Sequence, residues 1–127
     1  MATYDTAVGL NQYMLDNWID TPIQFDGMVL DTTALTKWIS VKYIPVQNDA
    51  VGLDGTTTGR IGYRGLFKVF CYAKNSTLAY KLADDVKTAL NGKQIANLRI
   101  DIGQDRDAVD LDNTWYECLC LFSTTEQ

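Results

Sequence analysis

The sequence predicts an α+β fold: one domain with a largely antiparallel sheet of four to five strands and two main helices packed on one of its faces. Three observations lead there. Apolar residues recur at helical spacing in two segments, one near the N-terminus and one around residues 77–91. Runs rich in β-branched and aromatic residues lie between and after them and read as strands. Finally, 127 residues, 46% hydrophobic and 21% charged, are enough to bury one core, and no linker or internal repeat divides them.

In chain order, the first element is an amphipathic helix. Thr3 is placed to cap it, Asp5 sits in its first turn, and Ala7, Leu10, Met14 and Trp18 share one face. Asp20-Thr21-Pro22 ends it, because a residue before proline is pushed out of the α region. Ile23-Gln24-Phe25 is a short strand closed by Asp26-Gly27, and residues 28–37 read mostly as connection. Trp38 through Pro45 is a strand with Ile39, Val41 and Tyr43 on one face and Trp38, Ser40, Lys42 and Ile44 on the other. Pro45 marks an edge or an exit. The polar, threonine-rich stretch 47–59 has little to bury and reads as a long loop between two strands.

The partner strand covers residues 59–73. Gly59, Gly62 and Gly65 break its start, which predicts bulges or close backbone approach, and Leu66 through Tyr72 is apolar on both faces. Ser76 or Asn75 then caps a helix whose apolar stripe is Leu78, Leu82, Val86, Ala89 and Leu90. Lys81 and Asp85 are i,i+4 partners on its wet side, and Asn91-Gly92 supplies a left-handed stop. Residues 95–102 alternate as a half-solvated strand, with Ala96, Leu98, Ile100 and Ile102 inward. Residues 103–113 form an acidic turn region, 115–122 the last strand, and 123–127 a polar tail expected to fray.

The chemistry is bounded by what these residues supply. No histidine occurs, which removes His-dependent nucleophile systems and His-containing zinc sites, so no enzyme is expected. Cys71, Cys118 and Cys120 are odd in number and sit in apolar strands, which favours buried thiols over a disulfide framework. The spacing Gly59-x-x-Gly62-x-x-Gly65 leads into a strand, whereas a phosphate loop opens a helix. Asp105, Asp107, Asp110 and Asp112 lack the regular ligand spacing and terminal Glu of a calcium loop. Asp84-Asp85 diverge around a helix and read as surface charge. Hence no cofactor and no metal are expected. The net charge of −5 with scattered Lys and Arg lacks the basic cluster that phosphate binding needs. No apolar run reaches the roughly 18–20 residues that span a bilayer, and Met1 to Asp5 opens no secretory signal, so a cytoplasmic product is expected.

What stands out is apolar surface in excess. The strands around Leu66–Tyr72 and 115–122 are greasy on both faces, and helices on one face leave the other needing a partner. Trp38, Ile44, Leu53, Leu66, Phe70, Tyr72, Trp115 and Leu119 are therefore candidate subunit-interface residues.

The chain also resembles a family of tail terminator-like proteins of long-tailed phages, the lambda minor tail protein U-like group. The resemblance runs from Trp38 to Leu90. It is carried by Trp38-Ile39-Ser40-Val41 ending near Pro45, the polar glycine-containing loop, the Gly59 to Gly65 lead into Leu66-Phe67-Lys68-Val69-Phe70, and the helix Ala79-x-x-Leu82-Ala83-Asp84-x-Val86. The family's proline- and glycine-rich turn before that helix is here Lys74-Asn75-Ser76. The resemblance implies a virion protein assembled in the bacterial cytoplasm. It would form a homo-oligomeric ring, usually of six copies, that caps the tail tube protein, stops its polymerisation and meets a head-completion or connector protein. DNA would only pass through, and Asp105, Asp107, Asp110 and Asp112 are candidates to line the lumen. Another neck component, such as a head–tail joining or tail-completion protein, is the alternative, with a small-ligand-binding domain behind it.

Overall fold

In the computed structural model, residues 3–51, 60–95, 98–101, 103–106, 108–110 and 114–126 are described. Helix α1 (Thr3–Asn17) leads into β1 (Ile23–Phe25), and β2 (Lys37–Val51) and β3 (Arg60–Ala73) form a long hairpin. Helix α2 (Ser76–Leu90) follows, then the short strands β4 (Gln94–Ile95), β5 (Leu98–Ile100), β6 (Gln104–Asp105) and β7 (Val109–Asp110), and finally β8 (Tyr116–Glu126). The order in the sheet is β1-β2-β3-β8-β5-β4, with β6 and β7 also paired to β8.

The α+β class and the two helices are as expected. The sheet is larger than expected, eight strands among the described residues, and it is mixed, because β1 runs parallel to β2. The extra strands come from segments whose composition reads as connection. Residues 47–51 continue β2 in register with β3, Gln47 opposite Arg64 and Val51 opposite Arg60; only 52–59 of the expected loop lie outside the described residues. Backbone pairing with β3 holds these polar residues in a strand although they have no apolar alternation to announce one. Pro45 is no exit either. It pairs with Gly65 at a register shift, and a bulge is one of the few places a sheet tolerates proline.

The expected strand 95–102 is instead a small hairpin of β4 and β5, with Leu98 and Ile100 inward as expected; Ala96, Asn97 and Ile102 lie outside the described residues. In the acidic region, β6 and β7 hydrogen-bond along β8, and the C-terminal segment stays paired through Glu126, where fraying was expected. Edge groups that β8 would otherwise leave unpaired are satisfied this way.

Both helices pack on one face of the sheet. Leu10 and Met14 of α1, and Trp18 just past its end, meet Ala79, Leu82, Ala83, Val86 and Leu90 of α2 over Ile39, Val41, Phe67, Val69, Cys71, Cys118, Cys120 and Phe122. The three cysteines are free and fully buried, so they act as small apolar residues. The cap of α2 is Asn75, whose side chain accepts from the Leu78 amide at 2.9 Å. Gly92, with φ of 69°, provides the left-handed stop. Leu78 departs from the expected stripe: it is 48% exposed, and Ala79 takes the inward place. Position 79 follows from the crossing of α2 over β3 and β8, which the helical period alone does not specify.

Candidate assembly surface

Strand alternation sends every second residue of β2, β3 and β8 away from the helices. Register then sets them in rows across the sheet: Trp38, Tyr72 and Glu117; Ser40, Phe70 and Leu119; Lys42, Lys68 and Leu121; Ile44, Leu66 and Ser123. Among the described residues no helix lies over this face, since α1 and α2 both pack on the other. Ile44, Leu66, Phe70, Leu119 and Leu121 are all half-buried, in contrast to their fully buried neighbours on the helix side. The result is an apolar patch with two lysines in the third of its four rows.

An aromatic cluster closes one end of the patch. Trp38 stacks on Tyr72 with centroids 3.9 Å apart, and Trp115 meets Trp38 edge-on at 6.0 Å. Lys74 caps the cluster with its ammonium 3.9 Å from the Trp115 ring centre. The Tyr72 hydroxyl donates to Glu117 at 2.8 Å; burial, and then this bond to an anion, push its pKa up. Trp38 and Trp115 are buried within the chain by this packing, and the Trp38 Nε1 is buried without a hydrogen-bond partner. Of the eight expected interface residues, Ile44, Leu66, Phe70, Tyr72 and Leu119 thus share the open face, Trp38 and Trp115 close its end, and Leu53 lies outside the described residues.

Of the four acidic candidates, Asp105 and Asp110 are among the described residues and sit in different surroundings. Asp105 turns toward α2, where its carboxylate lies 2.7 Å from the Lys87 ammonium and accepts from the Cys120 thiol at 3.2 Å. Asp110 is exposed on β7, and Asp107 and Asp112 lie outside the described residues. Among the described residues no three His, Cys, Asp or Glu side chains converge as metal ligands, and no helix is long and apolar enough to cross a membrane. A hollow of about 440 Å³ opens between the start of β2 and the first half of α2, lined in part by Lys37, Lys74, Lys81, Leu78 and Leu82.

Two surface features go beyond the sequence-based expectations. One is the juxtaposition of Lys42 and Lys68, which needs the hairpin register to be seen. The other is a second apolar stripe on α1. Tyr4, Val8, Leu15 and Ile19, the last just past the helix end, are 76%, 47%, 57% and 88% exposed. Helical spacing carries the signal for this stripe, since at 3.6 residues per turn Tyr4, Val8 and Leu15 lie within about 40° of one another.

No protein-family model and no curated protein sequence matches the chain. Several solved structures match the chain, and two of them share its fold over nearly the full length. One, designated only by a sequence identifier, superposes with a TM-score of 0.65 at 14% identity, covering 94% of both chains. The other is a chain from the virion of a native gene transfer agent particle, with a TM-score of 0.64 at 12% identity, covering 94% of this chain and 92% of that one. At these identities the likeness is one of fold.

Proposed function

We propose that the chain is a structural protein of a phage-like virion and, more finely, a tail terminator. In this reading several copies, usually six, close into a ring on the last ring of the tail tube. The ring halts tube growth and presents its upper surface to a head-completion protein. The observation that carries the reading is the half-buried apolar sheet face of Ile44, Leu66, Phe70, Leu119 and Leu121, which a monomer leaves partly exposed and a neighbouring copy would cover. The fold shared with a chain of a gene transfer agent virion supports the same class.

In such a ring Asp105, Asp107, Asp110 and Asp112 are the candidates to line the lumen, Asp105 with the Lys87 ammonium beside it. Like-charge repulsion there would let DNA slide without sticking. Replacing the four aspartates with Asn is expected to slow DNA passage and leave assembly intact; loss of assembly would assign them a structural role instead.

Deletion of the gene in its phage tests the main claim. A terminator mutant accumulates overlong tubes that fail to join heads, and light scattering of the purified protein finds a ring near six subunits or a monomer that assembles only on tubes. Tails of normal length would favour a different neck role, and a monomer indifferent to tubes would reject the proposal.

A further inference from the structure

The apolar stripe on α1 and the open sheet face are complementary in charge as well as in polarity. Of the sixteen acidic residues five, Asp5, Asp16, Asp20, Asp26 and Asp31, precede Lys37, which is the first basic residue. The eleven acids that follow balance the eleven Lys and Arg, so the whole net charge of −5 resides in the segment that contains α1. On the helix, Asp5 and Asp16 flank the stripe along one side, with Gln12 between them donating to Asp16 at 2.9 Å. The stripe itself lies about 130° around the helix from Leu10 and Met14, so it points away from the sheet.

The sheet face has the opposite character. Lys42 and Lys68 are directly opposed in register among apolar neighbours, and neither is paired with an acid among the described residues. Like charges directly across a strand pair are unfavourable. A carboxylate arriving from outside would relieve them, while apolar side chains beside it would cover Ile44, Leu66, Phe70 and Leu121.

We propose that the outer face of α1 in one copy docks on the open sheet face of the next, so that each sheet becomes the middle of a helix–sheet–helix sandwich. The two surfaces lie on opposite sides of the chain, which makes the contact head-to-tail. Repeated, such a contact closes into a ring or runs on as a filament. This deepens the ring reading above by naming its contact surfaces, and it rests on that reading for its setting.

Charge exchange tests it. Lys42→Glu with Lys68→Glu, and separately Asp5→Lys with Asp16→Lys, each weaken self-association at least tenfold by light scattering and sedimentation. Because none of the four side chains is buried, both variants stay folded, with melting temperatures close to the wild type. An equimolar mixture of the two regains assembly, since every contact in an alternating array then joins opposite charges. Variants that assemble like the wild type, or impaired variants that mixing does not rescue, overturn the contact and leave the ring reading standing. A wild-type protein that neither self-associates nor joins tail tubes removes the ring reading and this contact together.

Discussion

The Lys87 ammonium of α2 sits 2.7 Å from the Asp105 carboxylate of β6 and also reaches Asp84 at 3.3 Å. The contact fastens the acidic segment to the helix layer. Hydrogen bonding to Asp105 holds the Lys87 pKa above its ordinary value.

With both side chains about a quarter exposed, the Lys87–Asp105 pair is worth about 1 kcal/mol. Lys87→Met or Asp105→Asn is expected to lower stability by about that amount, read from urea midpoints at constant m-value. A double-mutant cycle isolates the pair, and its coupling shrinks as salt is raised.

Gly65 lies under the ring of Tyr43, so a Cβ at 65 would run into the aromatic atoms. The ring cannot swing aside freely, because Tyr43 packs against the core. Gly65→Ala is expected to destabilise by about 1–2 kcal/mol in chemical denaturation, as overpacking does. Adding Tyr43→Val, which removes the ring, should lower the extra cost of the alanine.

The buried thiols predict an alkaline limit to stability. Burial pushes the Cys118 thiol from its ordinary 9.0 up to about 12. Hydrogen bonding with Cys71, and then burial, push Cys120 up as well. Folded values raised above unfolded ones mean that stability is complete below about pH 9 and is lost as pH rises toward the folded value. Each such thiol drains about 1.4 kcal/mol per pH unit in that window. The melting temperature should therefore fall between pH 9 and 11, while at pH 8 the native protein resists a thiol reagent that labels all three cysteines in urea.

Much of the fold is legible in the amino-acid sequence. Helical spacing finds the inward faces of α1 and α2, and alternation finds that Ile39, Val41 and Tyr43 oppose Ile44 and Lys42, because both signals are local and repeat along the chain. The strands beyond Pro45 and within residues 103–113 carry no such signal. Residues such as Gln47, Gln104 and Val109 are held by pairing with β3 or β8, and their own composition reads as loop. The aromatic cluster is half visible: alternation marks Trp38 and Tyr72 as outward, but their stacking needs the hairpin register.

By itself the sequence determined the fold class, the two helices, the buried faces of the main strands and the presence of surplus apolar surface. These follow from side-chain periodicity, which each segment carries alone. Only the tertiary structure decided that Lys42 faces Lys68, that Lys87 takes Asp105, and that the exposed apolar stripe of α1 and the open sheet face end on opposite sides of the chain. Those relations join residues distant along the chain, and strand register and helix crossing, which set such distances, are decided only when the packed layers settle together.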